Sequence, residues 1–210
     1  EQVIRLDDAV QHRYGSPGRN ILLTDYHRRI SQDLLLPAGR LRESAQGKER
    51  ANMVIVTKCP KDMSPMQYRI IAEALQLRPY QQLFFSTVKY GKMVNLHTHE
   101  MRSMSEMRQC NVLQITGIGC PKQMNMDMEK QFASVRSLDF RDHHYYSHSD
   151  IHTIAEKLNE IPEPRIIITT EKDTTRLLTM ENLPEEITKH IWVLPIGVQF
   201  LQEKKRIFND

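Results

Sequence analysis

Short apolar runs rich in β-branched residues recur along the chain: VIRL at 3–6, ILLT at 21–24, MVIVT at 53–57, LFFST at 83–87, VLQIT at 112–116, RIIITT at 165–170 and IWVLPI at 191–196. MVIVT and IIITT are apolar without alternation, the pattern of strands buried on both faces of a parallel sheet flanked by helices. Helical periodicity fills the intervals. Ser64 caps a helix whose first position is Pro65 and whose Gln67 completes a capping box. Met66, Ile70, Ala74 and Leu77, with Ile71 and Leu75 beside them, form an apolar stripe expected to pack on the sheet. A second helix is expected after Pro121, with Met124, Met128 and Phe132 at i, i+4 and i+8, and a third from Asp150 through Ile151, Ile154, Ala155 and Leu158. The methionine stripe reads as core. Thr170 and Asp173 form a capping pattern that sets a strand-to-helix turn at TTEKD. The alternation of strands and helices defines an α/β fold with a mostly parallel sheet.

Between these periodic segments, the stretch around 90–109 contains Gly91, two histidines and many polar residues with little periodicity. It is expected to be the least ordered part of the chain. The organisation read from the pattern is a first α/β unit at 1–88, a hinge or linker at 89–109, and a second, smaller α/β domain at 110–210 whose end can return to the first.

Composition narrows the class. The 210 residues carry a formal charge of +3 and are 40% hydrophobic and 26% charged, ordinary values for a globular chain. The balance is too mild for a nucleic-acid-binding surface, so no nucleic-acid partner is expected. No apolar run approaches the roughly 20 residues that span a bilayer, and EQVIRLDD lacks the features of a signal peptide. Cys59, Cys110 and Cys120 form an odd set without C-x-x-C spacing, which points to a reducing, cytoplasmic setting. Glu1 is not an initiator Met and the opening is strand-like, so the polypeptide is expected to extend upstream.

Candidate chemistry lies where strands end. VIRL runs into Asp7 and Asp8, and carboxylates at the carboxyl end of a strand can hold Mg²⁺ that bridges nucleotide phosphates, a Walker B arrangement. The same pair also serves as an ordinary helix cap. In LPAGRLRE at 36–43, Glu43 offers a further hard oxygen ligand and Arg42 a cation for phosphate, while an exposed loop explains the pair equally. In FRDHHY at 140–145, Asp142 beside His143 can hold the imidazole tautomer for proton transfer. His148 and His152, spaced i, i+4, and His97 and His99 raise a zinc alternative, without any Cys or H-E-x-x-H to complete it. TGIGCP at 116–121 and TTEKD at 169–173 are strand-to-helix turns of the kind that can meet an anion, with Lys172 a candidate contact.

Taken in order, DDAVQHR at 7–13, NILLTD at 20–25, LPAGRLRE at 36–43, VIVTK at 54–58, TGIGCP at 116–121, DHH at 142–144 and ITTEKD at 168–173 resemble the tetraacyldisaccharide 4'-kinases of lipid A synthesis. QQLFFST at 81–87 and VLPI at 193–196 are similar to the Bacteroides-type version, and the resemblance spans essentially the whole chain. It implies a P-loop-kinase-like fold, with 1–88 as the C-terminal part of the kinase core. It also implies transfer of the γ-phosphoryl of ATP, with Mg²⁺, to the 4'-hydroxyl of a tetraacyldisaccharide 1-phosphate at the cytoplasmic face of the inner membrane. The family's DDGFQH motif falls on Asp7, Asp8, Gln11 and His12, for metal binding, nucleotide binding and catalysis. Its LREP-type turn falls on Arg42 and Glu43, near the Mg-nucleotide, and its cleft Asp-His pair on Asp142 and His143. By the same resemblance the metal set is Asp7, Asp8, Gln11 and Glu43.

Three departures qualify what the resemblance implies. Ala9, Val10 and Arg40 replace a Gly, a Phe and a Pro of the family pattern, all at backbone or packing positions. The family's G-x-x-x-x-G-K-S/T loop occurs nowhere in these residues, nor do its N-terminal membrane helix and the upstream Asp that partners the cleft His. Without the amides and Lys of that loop, the 210 residues alone are expected to be inactive. Arg28, Arg29, Arg40 and Arg42 offer weak electrostatic support for a peripheral membrane contact. A non-catalytic α/β module that binds a phosphorylated ligand is the competing function, and a His/Asp metal hydrolase ranks below it.

Overall fold

The computed structural model describes residues 6–7, 17–27, 39, 45–118, 121–180 and 183–201. The chain forms two compact units, Glu1–Val88 with Val198–Asp210, and Lys89–Gly197.

The first unit is built on a four-stranded sheet of β1 (Ile21–Asp25), β2 (Met53–Thr57), β3 (Gln82–Tyr90) and β10 (Ile196–Leu201), in that order, and β1, β2 and β3 run parallel. Every residue of MVIV is buried, as the unbroken apolar run predicts. Val54 and Val56 pack with Ile71 and Leu75 of α1 (Pro65–Leu75), while Met53 and Ile55 meet Phe84 and Phe200 on the other face. Tyr68 adds an edge-to-face contact to Phe85 at 4.8 Å. The capping box at Ser64 and Gln67 forms as expected. The expected apolar stripe holds in part: Ile71 and Leu75 are buried with Tyr68 and Leu77 packed beside them, whereas Met66, Ile70 and Ala74 are exposed. Two apolar rows run along this helix, and the sheet can cover one face only, so periodicity alone cannot choose between them.

The second unit carries a six-stranded mixed sheet in the order β5, β4, β9, β8, β6, β7. Its strands are β4 (Met93–Asn95), β5 (Met101–Arg102), β6 (Asn111–Thr116), β7 (Ser134–Asp139), β8 (Arg165–Thr170) and β9 (Ile191–Leu194). β9, β8, β6 and β7 are parallel, and β4 and β5 add an antiparallel margin. Helix α2 (Lys122–Glu129) places Met124 and Met128, with Phe132, against Val112, Ile166 and Ile168 on one face. On the other face, α3 (His148–Asn159), α4 (Glu171–Leu177) and α5 (Glu185–Thr188) bury Ile151, Ile154, Leu158, Leu177 and Ile187 against Leu113, Ile115 and Ile167. The result is a three-layer α/β unit whose alternate strand residues feed two cores.

Three elements escape the sequence pattern. Residues 89–109, where a hinge was expected, carry β4, β5 and a 3-10 turn at Met104–Met107, with Met93 and Met107 in the core. β7 has no apolar run because it is an edge strand, exposed at most of its positions. IWVLPI at 191–196 is two strands, since Pro195 has no amide proton to continue a ladder and separates β9 from β10. The predicted strand at 3–6 has residues 3–5 outside the described residues.

Candidate active site

The second unit brings its chemistry together at the carboxyl ends of its parallel strands. From β6 the chain passes through α2 to β7 on one side, then through α3 to β8 on the other side of β6. Strand order therefore reverses between β6 and β8, the place where open α/β sheets leave a crevice for ligands. Ile115 and Thr169 are level in the ladder, so the turns that follow both strands emerge together.

Gly117, Thr170 and Asp173 hold that place. Thr170 caps α4 by accepting the Asp173 amide, and its hydroxyl donates to Asp173 Oδ2 at 2.8 Å. In an ordinary capping box the acid would return to the cap's own amide. Here Asp173 Oδ2 accepts the Gly117 N–H at 3.0 Å, and Oδ1 lies 3.4 Å from Arg176 Nη1. The carboxylate is fully buried, and these donors are the compensation that burial of a charge demands. A side chain at 117 would bring Cβ to 3.0 Å from Asp173 Oδ1 and 3.3 Å from the Arg141 carbonyl, so close approach accounts for the glycine. The amide that the TGIG turn offered to an anion is thus taken by the protein's own acid.

The loop after β7 delivers Asp142, His143 and His144. Phe140 donates its amide to the Thr116 carbonyl, which fixes the loop against the end of β6. His143 adopts φ 63°, a left-handed conformation uncommon for a non-glycine residue. Asp142 Oδ1 accepts the His143 backbone N–H at 3.0 Å and pairs with Lys172 Nζ at 3.0 Å. That lysine hydrogen bond holds the Asp142 carboxyl below its usual range. The sequence pattern suggested Asp142 as the group that orients the imidazole. The structure shows a different contact: His143 Nε2 stays 3.9 Å from Asp142 Oδ1, whereas Nδ1 lies 3.0 Å from Arg176 Nη2. Arg176 is the residue of this candidate site that sequence reasoning missed, and only its position one helical turn after Asp173 hinted at it.

The two adjacent histidines have separate tasks. His144 stacks on Phe140 at 4.7 Å, meets Tyr146 edge-on and bonds Asp150 Oδ2 at 3.0 Å. Asp150 in turn accepts the Ser147 amide and hydroxyl that start α3. Burial raises the Asp150 pKa, but the Ser147 and His144 hydrogen bonds outweigh it and leave the group below its usual value. His144 is a packing residue; His143 is presented to solvent.

The other predicted site residues belong to the first unit. Asp7 is exposed. Asp8, Gln11, His12, Arg42 and Glu43 lie outside the described residues. At the strand ends of this unit, Asp25 and Lys58 pair at 2.8 Å, joining the ends of β1 and β2. Among the described residues no group of three His, Cys, Asp or Glu side chains is placed to hold a metal. Of the histidines in the zinc alternative, His152 lies 3.5 Å from Glu156 and His97 3.7 Å from Glu185.

By fold and site, this is an α/β protein whose second unit gathers an acid, an imidazole and cations where strand order reverses. The profile of the family described as tetraacyldisaccharide-1-P 4'-kinase matches residues 1–209, and the chain belongs to that family. The tetraacyldisaccharide 4'-kinase of Phocaeicola vulgatus is 46% identical over 212 residues, covering 100% of this chain and 58% of the relative. Those of Bacteroides thetaiotaomicron and Porphyromonas gingivalis are 44% and 36% identical over 100% of this chain, which spans 58% and 59% of their lengths. The chain therefore spans under two thirds of these relatives. The crystal structure of LpxK from Aquifex aeolicus in complex with ATP shares the fold, with a TM-score of 0.59 at 21% identity over 97% of this chain and 54% of that one.

Proposed function

We propose that this chain serves in an ATP-dependent kinase that phosphorylates the 4'-hydroxyl of a tetraacyldisaccharide 1-phosphate, a lipid A precursor. The observation that carries this reading is family membership along residues 1–209 together with His143, Asp142, Lys172 and Arg176 converging at the strand-order reversal. In-line phosphoryl transfer needs positioned reactants and neutralised phosphate charge more than covalent chemistry by the protein. Residues 1–88 supply part of the kinase core, and the second unit presents His143 and Asp142 to the acceptor. Asp7, Asp8, Gln11 and Glu43 offer oxygen donors, the hard set that Mg²⁺ takes, and the exposed carboxylate of Asp7 fits that use. The ion would neutralise and orient the nucleotide phosphates. By the family resemblance, Gln11, His12 and Glu43 would bind the nucleotide, and Arg42 would counter the charge of the transferred group.

The acceptor is a lipid, and the protein meets it at the cytoplasmic face of the inner membrane as a peripheral visitor. No helix among the described residues is long and apolar enough to cross a membrane. Without a phosphate-cradling loop in their sequence, the 210 residues alone do not turn over.

The test is ATP-dependent phosphorylation of a lipid A disaccharide 1-phosphate, run on these 210 residues and on the whole reading frame that encodes them. Activity in the whole frame alone is the expected result. Turnover by the 210 residues would refute the need for the loop, and a folded whole protein inactive on this acceptor would sink the substrate assignment. In the whole protein, Asp8→Ala and His143→Ala should lower turnover by roughly 10²-fold or more, and Met128→Leu should leave it unchanged.

A further inference from the structure

Arg176 is nearly buried, with its side chain 14% exposed, and its guanidinium is fixed from two directions: Nη1 lies 3.4 Å from Asp173 Oδ1 and 3.5 Å from the Gly117 carbonyl. Those partners belong to the turns after β8 and β6. The remaining arm, Nη2, reaches His143 Nδ1 at 3.0 Å. A guanidinium has five N–H donors and no acceptor. The shared hydrogen bond therefore runs from arginine to imidazole, Nδ1 is the acceptor, and the ring proton sits on Nε2.

We propose that Arg176 is a positioning residue for His143: it holds the imidazole as the neutral Nε2–H tautomer, so that His143 acts on the reacting groups as a hydrogen-bond donor and not as a base at Nε2. The left-handed backbone at His143 supports this assignment, because strain of that kind persists where surrounding contacts over-determine it. Asp142 fixes the backbone of the same residue by accepting its N–H, while Arg176 fixes the ring. The charged groups at the imidazole are Asp142 from its own loop and Arg176 from the last turn of α4, and these are held in turn by Lys172 and Asp173 from the first turn of that helix. Lys172 is engaged by Asp142 and Asp173 by Gly117, Thr170 and Arg176, which leaves the Nε2–H edge, 3.9 Å from Asp142 Oδ1, as the face offered outward. The catalytic consequence rests on the kinase reading above; the tautomer does not.

The experiment is ¹⁵N NMR of the imidazole rings in the 210-residue chain, comparing wild type with Arg176→Lys and Arg176→Met. His144, held by Asp150, serves as an internal reference for an intact fold. The expected result is an unprotonated Nδ1 and a protonated Nε2 at His143 in wild type, retained in Arg176→Lys and mixed between the two tautomers in Arg176→Met. A wild-type His143 protonated at Nδ1 overturns the proposal whether or not any variant folds. So does an unchanged tautomer in Arg176→Met with the His144 signals in place. In the whole protein, Arg176→Met should lower kcat about 10-fold or more at unchanged KM for ATP, with partial recovery in Arg176→Lys. Tautomers that shift as expected in a whole protein with no lipid kinase activity would uphold the role of Arg176 toward His143 and refute the kinase reading instead.

Discussion

The Asp173 carboxylate accepts the backbone N–H of Gly117 at 3.0 Å, tying the turn after β8 to the turn after β6 across 56 positions of sequence. This bond spans the point where strand order reverses, and the same carboxylate carries Arg176, which carries the ring of His143. A helix-capping acid is thereby turned into the foundation of a site.

Removing that foundation should be costly. Asp173→Ala strands the Gly117 amide, the Thr170 hydroxyl and a nearly buried guanidinium, and a loss of about 3 kcal/mol is expected. Trp192, the only tryptophan, lies in the core of the second unit, so its fluorescence during urea unfolding reads the effect there. An unchanged midpoint would show that the bond contributes nothing net.

Glycine at 117 is required by close approach. Gly117→Ala should destabilise the second unit by about 1–3 kcal/mol, since both the buried carboxylate and the Arg141 carbonyl must give way. Gly18→Ala is the control, because a Cβ there meets nothing within 4 Å and should leave thermal stability unchanged or slightly raised.

Acid should act on the second unit through Asp142 and Asp150, whose carboxyls both lie below the ordinary 3.8 in the folded chain. The folded state then binds fewer protons than the unfolded one. The stability they contribute is present above the unfolded value and is lost as pH falls through 3.8 toward the lower folded values. Between about pH 5 and pH 2, Asp150→Asn should flatten the decline of urea stability, again followed by Trp192 fluorescence. A slope identical to wild type would exclude Asp150 as a contributor.

Cys59 should resist alkylation. It is 2% exposed, and burial pushes its thiol up to about 11, so thiolate is scarce at neutral pH. Iodoacetamide at pH 8 followed by peptide mass spectrometry should leave it unmodified until the first unit is unfolded; rapid labelling of the native chain would contradict its burial.

Much of the architecture is legible in the sequence. MVIVT and IIITT declared themselves as doubly buried strands because a run without polar positions has no face to give to water. Met124, Met128 and Phe132 were read as core by spacing, and Ser64 announced α1 by its capping chemistry. What failed to show was the element that burial does not mark. β7 is an edge, and the antiparallel β4 and β5 are too short to carry a period.

The site was legible only as residue types. Asp142 and His143 stand out because an acid beside an imidazole near a strand end is chemically suggestive, but adjacency in sequence does not say which histidine faces the crevice. His143 and His144 are indistinguishable as letters. Packing separates them: Phe140, Tyr146 and Asp150 claim one ring, and a left-handed backbone turns the other outward.

By itself the sequence determined the local choices and the family: which segments are strands, where helices begin, and which motifs follow one another. Those depend on side-chain volume, backbone preference and hydrogen-bonding capacity within a few residues. The tertiary structure alone decided which row of α1 is buried, that the Gly117 amide is satisfied by Asp173, and that Arg176 meets His143 across 33 positions of chain. Each of these needs strands distant in sequence to end at one level, and that juxtaposition is set by the order and register of the whole sheet.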